Sequence, residues 1–360
     1  SFDILGGLIF TIAISFLLIG LTQKGQTDPL THTAYAWTDP TVGGFIAIAL
    51  AGIALFAIVE SRAKEPIIPL GLFRNRTYSA SMIASFFASF AFFGAIIFLP
   101  RWFQFVQGFT PTWSGLAALP LMAGLIGSSI ASGIIVARTG RYKWLSVGAI
   151  LMMGVAAALM TQLSATTPLP IVWFWMFLTG LGVGPTFAVF TLIVQNAVPF
   201  HQLGVATSNL TFFRQIGGTV ALAIVGTIFG STFGEQVGAQ MLAAGTPETI
   251  VTGFAQASSS GAIDFNQMTG VGDLGQAILA GLPDFLRPMV EPFVPNIVAG
   301  IKQAFSLGVG ATFWIGVAAA VVAALAAAAM HEMPLRKEHG ATAAAVSPPD
   351  GNPGIAPAAD

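Results

Sequence analysis

The run Trp144–Phe213, WLSVGAILMMGVAAALMTQLSATTPLPIVWFWMFLTGLGVGPTFAVFTLIVQNAVPFHQLGVATSNLTFF, holds 70 residues without one Asp, Glu, Lys or Arg. At average usage a soluble stretch of that length carries roughly 17 charges, so the solvent around this one reads as lipid. Working outward, further charge-free blocks of 20, 20, 24 and 36 residues run from Ile4 to Gln23, Pro40 to Val59, Thr77 to Pro100 and Trp102 to Ala137. Across all 360 residues 55% are apolar and 8% charged, against roughly 25% charged in an ordinary soluble domain. A conventional water-soluble enzyme is excluded. The absence of cysteine removes disulfides, thiolate metal sites and thiol catalysis. The net charge of -1 gives no case for a nucleic-acid partner.

A hydrocarbon core about 30 Å thick needs about 20 apolar residues in a helix. Eight stretches qualify: Ile4–Leu21, Val42–Val59, Ser79–Leu99, Gly115–Ala137, Trp144–Leu163, Ile171–Val194, Gly204–Phe229 and Phe305–Met330. All are expected to be helical, because an open strand edge in lipid leaves backbone groups unpaired at several kcal/mol each. The fold class is therefore an all-α polytopic membrane protein.

Orientation follows from the Lys and Arg bias. With the first helix running outward, Arg62, Lys64, Arg74, Arg76, Arg138, Arg141, Lys143, Arg214, Arg336 and Lys337 face inward, ten of the fourteen basic residues. Lys24, Arg101, Arg287 and Lys302 lie outside, where Thr232–Ile301 is acidic, with Glu235, Glu248, Asp264, Asp273, Asp284 and Glu291. This places the C-terminus in the cytoplasm of a protein of the plasma (inner) membrane. Ser1 is no initiator Met and no basic stretch precedes the first apolar run, so the chain reads as cut on its N-terminal side rather than led by a signal peptide. Residues 332–360, rich in Ala, Pro and Gly, read as a disordered tail. In the outer segment, Thr246, Pro247 and Glu248 predict a helix start with Thr246 as its cap. Leu282–Ile301 reads as a proline-broken amphipathic stretch on the outer membrane face or as a plain connector.

The turn between the fourth and fifth spans reads Gly133-Ile-Ile-Val-Ala-Arg138-Thr-Gly140-Arg141-Tyr-Lys143. Gly133 is expected to let neighbouring backbones approach, Gly140 to permit a tight turn, and Arg138, Arg141 and Lys143 to face anionic headgroups. The spacing G-x4-R-x-G-R-x-K resembles the loop signature of the major facilitator superfamily. Ala137 stands where that signature has an acid, which tells against a charge-pair latch here.

Further stretches narrow the resemblance: Glu65-Pro66 with Pro69 to Arg76, Gly108 to Pro120, and Gly204 to Asn209 leading to Arg214-Gln215-Ile-Gly217-Gly218. Together they resemble the fourteen-helix drug:proton antiporter group, the EmrB/QacA-type exporters, over almost all of residues 1 to 330. The resemblance implies the last eight helices of such a protein, its N-terminal six-helix half being absent. Residues 1–76 would hold two linking helices and a cytoplasmic loop. Residues 77–331, including the outer segment 232–301, would form the C-terminal six-helix bundle, an incomplete major facilitator fold of two inverted three-helix repeats. Its implied cavity is lined by the third, fourth, sixth and seventh spans. The implied activity is efflux of a small hydrophobic or cationic solute in exchange for protons by alternating access, with the lipid bilayer as the other partner. No cofactor or metal is implied.

Candidate residues follow. Arg214 lies ten residues past Gly204, roughly 15 Å along a helix, where a cation costs about 2.5–3.5 kcal/mol on insertion scales. It either lines the cavity or a gate, together with Gln215, or snorkels to the headgroups. Asn209, Gln104, Thr191 and Gln195 are further candidates for cavity lining. Gly180, Gly182, Gly184 and Pro185 read as a helix contact and kink. Trp102 and Trp113 suit an interfacial aromatic belt. Phe86, Phe90 and Phe93 form a stripe of unassigned direction. Proton coupling needs an ionisable carboxylate inside the membrane, yet no Asp or Glu lies at the centre of a span, and Asp3 and Glu60 read as interfacial charges. A proton site would then belong to the absent half. Two alternatives stay open: an exporter of another small solute or metabolite, and a non-transporting eight-helix membrane scaffold.

Overall fold

The computed structural model describes residues 4–24, 35–62, 70–259, 274–280 and 287–332. Asp3, Lys64 to Pro69 and the tail from 333 onward lie outside these, so the readings placed on them stay sequence readings. Among the described residues every regular element is helical. The hairpin α1 (Ile4–Lys24) and α2 (Phe45–Glu60) comes first, followed by α3 (Arg76–Phe105), α4 (Pro111–Leu116), α5 (Leu119–Thr139), α6 (Lys143–Met160), α7 (Leu169–Ala197) and α8 (Leu203–Ala243). The short α9 (Glu248–Ser259), α10 (Leu274–Ala280) and α11 (Arg287–Val290) precede the last long helix, α12 (Val294–Ala328). Among the described residues eight stretches are long and apolar enough to cross a membrane, the number expected from the eight apolar stretches of the sequence.

Exposure supports the same environment. Leu50, Leu119, Ile130, Trp144, Trp314 and Leu325 are between 57% and 70% exposed, an outward apolar surface suited to lipid or to packing against further protein. Hydroxyls within the spans meet the same demand internally. Thr11, Ser81, Ser89, Thr179 and Thr191 each donate to a carbonyl four residues back, at 2.7–2.9 Å.

Several boundaries differ from expectation, each for a physical reason. The fourth span is broken: Thr110 caps α4 by accepting from the Trp113 N–H at 3.3 Å, and Pro120 enters the first turn of α5, where it needs no donor. The segment 232–301 is not a loop at either end, because α8 continues to Ala243 and α12 starts at Val294. At 41 residues α8 is about 60 Å long, twice the hydrocarbon thickness. Its extension is held by packing: Gly300 lets α12 close on the backbone of Met241, a residue that is fully buried along with Ile297 and Ile301. Of Leu282–Ile301, the described part is α11, one 3₁₀ turn and the start of α12, so Val294–Ile301 belongs to the span rather than to a separate surface helix. A helix does begin at Glu248, but Thr246 does not cap it, since its buried hydroxyl makes no hydrogen bond. Gly245, at φ 89°, turns the chain there. Trp102 is no belt residue: it is fully buried, and its indole N–H donates to Ser306 Oγ at 2.8 Å, joining α3 to α12. Trp113 is 64% exposed. Glu60, at the end of α2, is buried.

The six-helix part packs in two rows. The chain of contacts α5 to α7, α7 to α3 and α3 to α8 makes the front row. Behind it α6 rests on α7, α12 on α3 and α8, and α6 and α12 on each other. The α1–α2 hairpin meets the bundle through α1 against α8, where the Phe10 and Phe212 rings lie 4.7 Å apart. Polar clasps close the end that carries the Gly140 turn, here named the basic end. Asn75 caps α3, accepting from the Thr77 and Tyr78 N–H groups, and donates to the Ala197 carbonyl at the end of α7. The carbonyl of His331, just past α12, accepts from Thr77 Oγ1 at 3.2 Å and from Tyr142 Oη at 2.9 Å.

Candidate functional site

Arg214 sits eleven residues into α8, about 16 Å from its start. Its guanidinium reaches across to α7 rather than along its own helix: Cζ lies 4.0 Å from the centroid of the Phe187 ring, and Nη2 donates to the Thr186 carbonyl at 3.3 Å. Among the described residues no carboxylate pairs with it. A cation over an aromatic face gains about 2 kcal/mol or more when desolvated, which offsets much of the cost of holding it at that depth.

The aromatic support extends to α3. Phe187 meets Phe92 at 5.6 Å in an edge-on arrangement, and Phe92 meets Phe93 likewise at 5.5 Å. The stripe of unassigned direction therefore points at α8 in part. Phe93 lies against Gly218 and the Phe86 backbone against Gly217, so both glycines of Arg214-Gln215-Ile-Gly217-Gly218 serve the α3–α8 contact. Arg214 of α8 thus rests on Phe187 of α7, which is backed in turn by Phe92 of α3. Phe187, Phe92 and Thr186 were not singled out in the sequence; the twenty-six residues between Phe187 and Arg214 carry no spacing signal for a contact between helices.

The other candidates separate. Gln215 is exposed beside the Arg214 position, and Gln195 and Thr191 are half-buried on α7, with Thr191 turned back on the Phe187 carbonyl. Asn209 is 4% exposed and donates to Tyr78 Oη at 3.1 Å, clasping α8 to α3. Gln104 is engaged by the fold, donating to Ser114 Oγ at 2.9 Å across the α3–α4 turn.

The glycines of α7 hold its neighbours close. A Cβ on Gly180 or Gly184 would strike the backbone of α5 at Leu121 and Leu125, and one on Gly182 would lie 2.5 Å from Met153 N in α6. Pro185 continues the helix and lies against the gap between α5 and α6. In the basic turn, Gly140 takes φ 70° and its N–H closes α5 on the Val136 carbonyl at 2.8 Å. Arg138 and Arg141 are exposed, and Lys143 lies 5.8 Å from the Trp144 ring. Gly133 departs from its expected role, because a Cβ there would meet nothing within 4 Å. The buried Tyr142 was not singled out; its hydroxyl is what ties this turn to α12.

Comparison with known proteins agrees with this architecture. The family description for the Major Facilitator Superfamily matches residues 2–222. An uncharacterized MFS-type transporter of Mycobacterium tuberculosis is 31% identical over 94% of this chain and 43% of its own length. The multidrug transporter protein MdtP of Bacillus subtilis is 32% identical over 88% of this chain and 56% of its own length. The chain thus spans about half the length of these relatives. Among solved structures, a bacterial homologue of the human lysosomal transporter Spinster, in an inward-facing and unoccupied conformation, superposes with a TM-score of 0.50 at 14% identity, covering 90% of this chain and 69% of that one. With a helical bundle of eight candidate spans and a family match over more than half its residues, the chain belongs to the Major Facilitator Superfamily of transporters.

Proposed function

We propose that this chain is the C-terminal portion, the last eight helices, of a fourteen-helix drug exporter of the EmrB/QacA type, which exchanges solute for protons by alternating access. In this reading the front row α5, α7, α3 and α8 is one wall of the solute path, the N-terminal half supplies the other, and the basic end faces the cytoplasm. The observation that carries it is the Arg214 guanidinium, held within the bundle by the Phe187 ring and the Thr186 carbonyl of the facing helix. A structural role alone does not call for a full charge at that depth, where it is costly and characteristically functional. The wall's own charge is positive, so of the two solute classes suggested by the sequence, apolar solutes fit it better than cations unless a carboxylate from elsewhere neutralises Arg214. The multidrug transporter MdtP supports the solute class by resemblance.

The test is dye efflux from cells expressing the full reading frame in a pump-deficient strain. Efflux is expected to stop when the proton gradient is collapsed, and Arg214→Ala is expected to reduce it by about thirtyfold, the equivalent of one lost cation–π contact of about 2 kcal/mol, at unchanged membrane abundance. Equal dye accumulation with and without the gradient removes proton coupling. Wild-type efflux by the alanine variant removes Arg214 from the path.

A further inference from the structure

Helices α5 and α6 are joined by the short Gly140–Tyr142 turn, yet they diverge beyond it, leaving a groove of about 500 Å³ floored by Leu181 and Pro185 of α7. From the geometry we infer that this groove binds one anionic phospholipid of the leaflet at the basic end. Three observations converge on that occupant.

The first is the lining. On α5 it runs through Gly127, Ser128, Ala131, Ser132 and Ile135, and on α6 through Trp144, Leu145, Gly148, Ala149 and Met152. The serine hydroxyls are spent on carbonyls, Ser128 on Leu125 and Gly180 and Ser132 on Ser129. No polar side chain there solicits a polar ligand. The glycines are not packing glycines either: a Cβ on Gly127 or Gly148 would meet nothing within 4 Å, unlike one on Gly124, Gly180 or Gly184. Their small size keeps the groove wide instead of bringing backbones together.

The second is charge placement. Arg138 stands one helical turn beyond Ile135 on the same face of α5, and Arg141 lies in the turn that joins α5 to α6, three residues before Trp144. Both are exposed, and among the described residues neither has an acidic partner. The apolar lining thus ends, at the turn between the two helices, beside two exposed cations. The third is depth. From Gly127 to Arg138 the helix rises about 16 Å, close to half of the ~30 Å hydrocarbon core. A groove one leaflet deep, apolar along its length and cationic at the headgroup level, matches an acyl chain with an anionic head. A partner helix would need no charge there and would not stop at mid-depth. The other pair of neighbours in the bundle, α8 and α12, leaves no such gap, since Gly308 receives Phe229 and Gly300 receives Met241.

The full-length protein in nanodiscs of equal phosphatidylglycerol and phosphatidylcholine tests this, with co-purifying lipid identified by mass spectrometry after detergent release. Phosphatidylglycerol is expected to be retained over phosphatidylcholine by about tenfold. Arg138→Gln with Arg141→Gln should abolish the preference while leaving some lipid bound. Gly148→Leu, which fills empty space and so should fold, should remove the bound lipid with both arginines intact. Equal retention of the two lipids by the wild type overturns the inference, as does a preference that survives both variants. A photo-crosslinker at Met152 should label lipid; a crosslink to another protein segment instead also overturns it. None of these readouts depends on transport.

Discussion

The α5–α7 seam and the α5–α6 seam are both rich in small residues, yet they are built for opposite ends. At the first, Gly124, Gly180 and Gly184 have backbone or side-chain atoms of the facing helix where a Cβ would stand, so the helices touch along much of their length, as association in lipid by close packing requires. At the second, Gly127 and Gly148 have nothing there, and the helices stand apart. Glycine count along a helix therefore does not report contact. What distinguishes the seams is whether a third helix offers a complementary surface, and α7 offers it to α5 on one side and to α6 on the other.

Substitution sharpens the contrast. The largest effect is expected for Gly180→Leu, which drives a side chain into the α5 backbone at Leu121 and Leu125. Overpacking commonly costs about 1–3 kcal/mol, and against backbone that cannot give way the upper end or more is expected, read as loss of detergent-stable protein and a lowered unfolding midpoint. Comparable tolerance of leucine at Gly180 and Gly148 would break the comparison. Next is Trp102→Phe, which removes the indole N–H bonded to Ser306 at the α3–α12 contact and leaves a gap; about 1–2 kcal/mol is expected for the hydrogen bond and lost packing together. Tyr142→Phe, which deletes only the hydroxyl on the His331 carbonyl, should cost about 1 kcal/mol and raise protease sensitivity at the Arg138–Lys143 turn. The smallest effect belongs to Gly148→Ala: within about 0.5 kcal/mol of wild type, measured by the same thermal unfolding, because its methyl enters empty space.

Three positions show where residue type stops informing. Asn209 and Gln104 are polar residues on helices that the family resemblance assigns to a cavity, yet each finds a partner inside the protein, Tyr78 and Ser114. Trp102 has the composition of a belt residue and is fully buried. In every case residue type states that a hydrogen bond is needed, and only the neighbouring helix decides whether water, lipid or protein satisfies it. Arg214 is the converse. Its cost could be stated from depth and charge alone, but its partner on α7 could not be named, because nothing along one helix encodes which ring of another will lie over it.

The number of spans, their helical nature and the position of the Gly140 turn were settled by sequence alone, since lipid tolerates no unpaired backbone and no long polar run, so charge-free length translates directly into a crossing. The closed seam, the open groove and the aromatic seat under Arg214 came only with tertiary structure. They depend on which surfaces face each other across helices, and a one-dimensional pattern of small and apolar residues is compatible with either outcome.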